Sequence, residues 1–180
     1  MLENLINLVK KNAGDAVINN PSIPNEKNDV AIEDAGNSII STLKNALSGG
    51  KINDVLGYFK NGGSGSNEIV KEATGNYAQD LQTKMGLNET EALDVANKVV
   101  PKTMNEMAGK AADPNDNSFN IQDIFNKLSG GKTSGLNVQA MINKFGDKDG
   151  DGDVDLQDLK SMFSGGSGSN LADKAKGFFS

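Results

Sequence analysis

The stretch from Asn88 to Met107, NETEALDVANKVVPKTMNEM, shows the pattern that decides the fold class. It opens on Asn88 with Glu91 three residues later, the spacing of a capping box, in which each side chain accepts a hydrogen bond from the backbone N–H of the other residue. The sequence therefore predicts a helix that begins here, and we expect Pro101 to kink it. Its apolar positions recur at helical spacing and are Val95, Val99, Met104 and Met107.

The same 3.6-residue spacing recurs through the rest of the chain, while strand patterns are weak everywhere. A first helix is predicted to stop before Pro21, a second to run from about Asp29 to Leu47, and a short third to follow Asp54. A fourth begins at Asn67 and is closed by Gly86. The predicted core stripes are Leu2, Leu5, Ile6, Val9, Ala13, Ala16 and Val17 on the first helix, Ile32, Ala35, Ile39, Leu43 and Leu47 on the second, and Val70, Ala73, Tyr77, Leu81 and Met85 on the fourth. We predict an all-α protein, a bundle of short and medium helices with one EF-hand-type loop near the C-terminus.

That loop is the stretch from Asp147 to Asp158, DKDGDGDVDLQD. A hard divalent cation takes oxygen ligands from a chain that wraps around it, and Gly152 permits the sharp turn at loop position 6. Val154 is the apolar residue that ties the loop to a core. The candidate metal ligands are Asp147, Asp149 and Asp151 through their side chains, Asp153 through its backbone carbonyl, Asp155 directly or through water, and Asp158 at position 12.

The loop departs from the common pattern at Asp158, whose side chain is one methylene shorter than the usual bidentate glutamate. Weaker calcium binding, or more tolerance of magnesium, is therefore expected. The loop carries six aspartates and one lysine, a net charge of −5, while the whole chain carries −6. A bound Ca²⁺, with Mg²⁺ as the other candidate, is the simplest way to keep these carboxylates close together. The alternative is a solvated acidic turn without an ion.

The chain also repeats a short unit, which consists of an aliphatic residue, an amide, an Asp that can cap a short amphipathic helix, and a diglycine stop. The three copies begin at Ile52, Ile121 and Leu156 and end at Gly62-Gly63, Gly130-Gly131 and Gly165-Gly166. The second copy also aligns with the third upstream, so that Asp116, Asn117, Phe119, Asn120 and Asp123 take loop positions 5, 6, 8, 9 and 12.

This upstream copy looks like a calcium loop that has lost its ion, because positions 1 and 3 are Ala112 and Pro114. Neither side chain offers an oxygen. Asn120 and Asp123 are then expected to cap the helix that follows, in preference to forming a second ion site.

The composition argues against several classes of function. The 180 residues include no Cys, His, Trp or Arg, which removes disulfides, imidazole catalysis, most transition-metal sites and the bidentate phosphate clamp. No catalytic or nucleotide-binding fingerprint accompanies the carboxylates, so we predict that the protein is not an enzyme. An acidic chain with dispersed lysines lacks the charge pattern of nucleic-acid binding. Without a membrane span or a signal-peptide pattern, we expect a cytoplasmic location, with non-classical export left open.

Two copies of the sequence GGSGSN read as flexible linkers. They predict N-terminal helices over 1–61, a linker over 62–66, a central helical hairpin over 67–111, the degenerate loop and helix with the calcium site over 112–164, a second linker over 165–169, and a terminal amphipathic helix over 170–180. The terminal helix either docks on its own core or inserts into a neighbouring subunit or partner.

Parts of the chain resemble two families. The segment Asn67 to Met107, in which Gly86-Leu87-Asn88 opens a helix that reaches Val99-Val100-Pro101, resembles the bacterial YidB-like domain of unknown function. The segments Leu47 to Gly63 and Leu128 to Gly135, which are punctuated by Gly-Gly, also look like that family. The resemblance implies a helical fold and no established activity.

The segment Asp113 to Phe163 resembles a dockerin, whose paired units of calcium loop and helix end position 12 in Asp. It differs from a dockerin because its first loop is degenerate and a predicted helix, Asn137 to Phe145, precedes the loop at Asp147. That helix takes the place of the entering helix of an EF-hand. A single helix–loop–helix calcium site is therefore the better description.

These patterns predict a non-enzymatic, calcium-binding structural or self-assembling protein, whose ion locks the C-terminal helices onto the helical core. Its partner would be another protein or a second copy of itself. The alternative is a calcium-dependent protein-binding module of the dockerin kind. A calcium sensor is less favoured, since sensors pair two competent loops. An enzyme that uses the acidic cluster with a metal is the remaining class.

Overall fold

The structure is a computed structural model that describes residues 2–63, 68–135 and 137–139. Within these ranges the chain is helical and contains no strand, which confirms the prediction of an all-α helical bundle. The α-helices are α1 (Leu2–Asn12), α2 (Asn28–Ser48), α3 (Ile52–Lys60), α4 (Glu68–Asp80), α5 (Glu89–Ala112) and α6 (Ile121–Leu128). A π-helical turn, Gly14–Ile18, follows α1, another, Leu81–Met85, continues α4, and a 3₁₀ turn, Asn25–Lys27, leads into α2.

Helix α5 begins where the sequence predicts. The side chain of Asn88 accepts a hydrogen bond from the backbone N–H of Glu91 (3.0 Å), and the Glu91 carboxylate accepts one from the N–H of Asn88 (3.2 Å), so the capping box is complete. The helix continues through Pro101 to Ala112. Its predicted apolar stripe is confirmed, because Val95, Val99, Met104 and Met107 are all buried.

The helices pack around α5, which contacts α1, α3 and α4. Helix α2 packs against α1, α4 and α6. One hydrophobic core joins all of them, and its largest enclosed side chains include Tyr77, Phe59 and Phe125. Leu2 was predicted to belong to this core but is 48% exposed, because burial along α1 begins only at Leu5.

The two described copies of the repeated unit have the same backbone geometry. Each ends on two glycines with positive φ, 58° and 79° at Gly62-Gly63 and 66° and 90° at Gly130-Gly131. The second glycine of each pair donates to a carbonyl five residues back, that of Tyr58 (2.9 Å) or Asn126 (2.7 Å). These bonds form the Schellman motif, in which a left-handed glycine ends a helix. The predicted diglycine stops are therefore confirmed in α3 and α6.

One prediction about the unit is wrong, because its Asp is not the helix cap. Helix α3 begins two residues before Asp54, after Lys51, which makes no side-chain cap bond. In α6 the cap is Asn120, whose side-chain oxygen accepts from the N–H groups of Gln122 (2.8 Å) and Asp123 (3.3 Å). Asp54 and Asp123 instead lie in the first turn, where a carboxylate is favoured by the helix dipole.

The first copy of the repeated unit, which contains α3, packs directly against α5. A Cβ atom at Gly63 would lie 2.7 Å from the Cα of Asn105 and 3.1 Å from its carbonyl oxygen. The Tyr58 hydroxyl donates to the side-chain oxygen of Asn105 (2.9 Å). Gly62 and Gly63 therefore close α3 and pack against α5, while residues 64–67, which include the rest of the first predicted linker, lie outside the described ranges.

Candidate calcium site and the segment that leads to it

The predicted ligands lie outside the described residues, so the ion site stays a prediction. They are Asp147, Asp149, Asp151, Asp153, Asp155 and Asp158. This donor set supplies carboxylate and carbonyl oxygens, the ligands that Ca²⁺ prefers and that Mg²⁺ also takes. The structure describes the chain that leads to the loop, namely the degenerate upstream copy, α6, and the residues up to Gln139.

In the upstream copy, the carboxylate of Asp116 is bound by protein donors. Its Oδ2 lies 2.7 Å from Nζ of Lys110, and its Oδ1 accepts from the backbone N–H of Ser118 (2.8 Å) and from the Ser118 hydroxyl. The Lys110 ammonium, together with the Ser118 donors, lowers the pKa of Asp116 to about 2. Asp116 lies at loop position 5, a usual ligand position. In this copy the positive charge beside its carboxylate is supplied by Lys110.

Other residues of the upstream copy pack in the core or cap α6. Phe119, at the position of the apolar loop anchor, is 3% exposed, and Asn120 caps α6 as predicted. The side-chain amide of Asn4 on α1 donates to the carbonyl of Ser118 (2.6 Å), which ties the loop to the first helix. Across residues 2–63, 68–135 and 137–139, no three acidic side chains form a group that could hold a metal ion.

The chain after α6 folds back along the helix. The Ser129 hydroxyl accepts from the backbone N–H of Thr133 (3.2 Å) and lies 3.3 Å from the Thr133 hydroxyl, and both residues are buried. Val138 is 1% exposed and belongs to the hydrophobic core. The chain between α6 and the predicted calcium loop is therefore fixed to the helical bundle at Thr133 and at Val138.

Gln122, in the first turn of α6, forms hydrogen bonds with this segment at two points. Its Nε2 donates to the carbonyl of Thr133 (3.0 Å), and its Oε1 accepts from the backbone N–H of Val138 (2.8 Å). An open cleft of about 500 Å³ lies beside this side chain. It is lined by Asn120, Ile121, Gln122, Ser134, Gly135, Asn137 and Gln139. The cleft thus lies between the end of the upstream loop and the start of the chain that leads to the downstream loop.

A group of charged residues that the sequence analysis missed lies between α2 and the end of α4. Nζ of Lys84 lies 2.7 Å from Oδ1 of Asp34 and 3.2 Å from Oδ1 of Asp80. Hydrogen bonds to Asp34, which has the larger effect, and to Asp80 raise the pKa of Lys84. Burial raises the pKa of the neighbouring Tyr77 hydroxyl. The Ser38 hydroxyl donates to Asp80 (3.1 Å). These contacts bridge two helices, and nothing in the spacing of the sequence indicates them.

Comparison of the chain with models of protein families, with curated proteins and with solved structures found no match. The resemblances to the YidB-like domain and to dockerins therefore remain predictions from the sequence. Among the described helices, none is both long enough and apolar enough to span a bilayer.

Proposed function

We propose that the protein is a non-enzymatic, calcium-binding structural protein, in which an ion in the loop Asp147 to Asp158 locks the C-terminal part of the chain onto the helical core. It would work in the cytoplasm, with a second copy of itself or with another protein as partner. Mg²⁺ is the competing ion, because the loop ends in Asp158 and lacks the longer glutamate.

The burial of Val138 carries this proposal. Val138 belongs to the core and its backbone N–H is bonded to α6, and residues 140–146 separate Gln139 from the first predicted ligand. An ion that orders the loop would therefore act close to a point already fixed on the bundle. The charge of the loop supports the same proposal, since nearly all of the net charge of the chain, −5 of −6, lies in these twelve residues. Neutralising that charge favours a compact loop.

Calcium is expected to raise the melting temperature of the wild-type chain. A ligand that binds only the folded state, at 100 times its dissociation constant, adds about 2.7 kcal/mol to the free energy of unfolding. For a chain of this size each 1 kcal/mol shifts the melting temperature by about 2–4 °C, so we expect a rise of roughly 5–10 °C. Circular dichroism melts in calcium and in excess chelator measure the shift.

The matched variants for this experiment change the same amount of charge at different places. Replacing Asp149 and Asp151 with alanine, which has no side-chain oxygen, should abolish the calcium-dependent shift. Replacing Asp54 and Asp94, which are exposed on α3 and α5, with alanine should leave it intact. Identical melting of the wild type in calcium and in chelator would contradict the proposal.

A further inference from the structure

We propose that Asn61 is a site of spontaneous deamidation, and that the packing of α3 against α5 sets the rate of this modification. The reaction converts the side-chain amide to a carboxylate, with water as the co-reactant. The residues involved all lie in the described part of the chain, and none belongs to the calcium loop.

Asn61 and Gly62 form the one Asn-Gly pair in the chain. Glycine has no side chain to hinder attack by its backbone nitrogen on the residue before it. The nitrogen of Gly62 bonds to Cγ of Asn61, the bond from Cγ to Nδ2 breaks, and ammonia leaves with the proton of the Gly62 N–H. Water then opens the five-membered imide to aspartate or isoaspartate. Asn61 is exposed, so water has access to it.

The folded structure holds this pair away from the geometry of attack. The ring requires Cβ of Asn61 and the nitrogen of Gly62 to lie on the same side of the bond from Cα to the carbonyl carbon. The ψ of 14° at Asn61 places its own backbone nitrogen on that side instead. The N–H of Gly62 also donates to the carbonyl of Phe59 (3.1 Å), which holds its proton. The end of α3 must therefore open before the reaction can occur.

The contact with α5 opposes this opening. The N–H of Gly63 donates to the carbonyl of Tyr58 (2.9 Å), and the Tyr58 hydroxyl donates to the side chain of Asn105 on α5 (2.9 Å). Gly62 lies over Gly109 of α5, because an added Cβ would be 3.8 Å from the Cα of Gly109. The free energy of local opening at the end of α3 therefore includes its contacts with α5, and the rate of deamidation follows that free energy.

Deamidation in turn disrupts the end of α3. Isoaspartate adds one methylene to the main chain before Gly62, so the hydrogen bonds of Gly62 and Gly63 to α3 cannot both keep their geometry. Aspartate keeps the length of the main chain but places a negative charge at the C-terminal end of α3, where the helix dipole disfavours it. Because ammonia is lost, a chain that has reacted stays loosened from α5.

The test is incubation of the full chain at mildly alkaline pH, in buffer and in urea, with deamidation at residue 61 followed by peptide mass spectrometry. Two variants are compared with the wild type. Tyr58→Phe removes the hydroxyl that is bonded to Asn105. Tyr77→Phe makes the same chemical change at a buried hydroxyl of α4, which has no hydrogen-bond partner among the described residues.

We expect the folded wild type to react at least about ten-fold more slowly than the wild type in urea, because opening breaks two backbone hydrogen bonds and the contact with α5. Folded Tyr58→Phe should react about five-fold faster than the folded wild type, the effect of one hydrogen bond, and at the same rate in urea. Tyr77→Phe should not react faster than the wild type in either solution.

Equal rates for the folded and unfolded wild type, or no acceleration in folded Tyr58→Phe, would overturn the control by α5. No reaction at Asn61 even in urea would overturn the modification site itself. The isoaspartate form, separated by chromatography, should exchange the Gly63 amide hydrogen at least about ten-fold faster than the unreacted chain. Unchanged exchange would overturn the loosening of α3.

Discussion

Replacing Gly63 with alanine is expected to lower the free energy of unfolding by about 2–5 kcal/mol, more than the same replacement at Gly131, for which we expect about 1–2 kcal/mol. Both glycines close a repeated unit with positive φ, 79° and 90°, so both variants incur the strain of a side chain in the left-handed region. Only at Gly63 does the new Cβ also meet another helix, 2.7 Å from the Cα of Asn105.

The comparison of these two positions isolates the contact between α3 and α5. At Gly131 an added Cβ meets nothing within 4 Å in the described part of the chain. Because the clash at Gly63 is with backbone atoms, it cannot be relieved by a change of rotamer, and the two helices must move apart. Urea unfolding of both variants, followed by circular dichroism, measures the two losses. Equal losses of unfolding free energy in the two variants would show that the first copy of the repeated unit does not pack against α5 as described.

Replacing Phe125 with alanine is expected to cost about 3–5 kcal/mol of unfolding free energy, as for other large aromatic side chains removed from a core. Phe125 is 1% exposed, and its ring meets that of Phe59 edge to face, with an interplanar angle of 67°. This is the aromatic contact between the two described units of the repeat, so the loss should loosen α6 from the bundle as well as leave a cavity.

A double-mutant cycle separates these two effects. Phe59→Ala, Phe125→Ala and the double variant should give an interaction energy of about 0.5–1.5 kcal/mol, the range found for aromatic pairs beyond their buried area. Leu93→Ala serves as the control, because Leu93 is 39% exposed on α5 and its removal should change stability by only about 0.5 kcal/mol. Additive losses at Phe59 and Phe125, within error, would contradict direct packing of the two rings.

The parts of the fold that were predicted from the sequence are those that local interactions determine. The capping box at Asn88 and Glu91 links residues three apart, and the diglycine stops depend on backbone conformations that glycine adopts readily. The apolar stripe of α5 was predicted for the same reason, because helical periodicity is a property of a short window. The capping box, the stripe and the two diglycine stops that fall within the described residues are present in the structure.

The features that were missed depend on contacts between distant parts of the chain or on small shifts of register. Lys84 bonds to Asp34, on a helix far away in sequence, and no pattern connects the two. The Asp of the repeated unit lies in the first turn of α3 and of α6, and not at the cap position that the repeat pattern indicated. The π-helical turns at Gly14–Ile18 and Leu81–Met85 fit the same apolar periodicity as an α-helix, so the sequence does not distinguish them.

At the candidate site, the sequence predicts the chemistry of the loop, whereas the packing of the chain that precedes it, up to Val138, was not predicted. The absence of side-chain oxygens at Ala112 and Pro114 indicated that the upstream copy is degenerate, whereas the pairing of Asp116 with Lys110 emerged only from the structure. Gln122 was recognised as the amide of the repeated unit. Its two hydrogen bonds to Thr133 and Val138 were not, because they depend on how the chain folds back after α6.

The most direct test of the calcium site is a calorimetric titration of Ca²⁺ into the metal-free wild-type chain and into the variant with both Asp149 and Asp151 replaced by alanine. We predict saturable binding of one ion per chain to the wild type and no measurable binding to the variant, because two of the carboxylate ligands are lost. No saturable binding to the wild type, or equal binding to both proteins, would contradict a calcium site at Asp147 to Asp158.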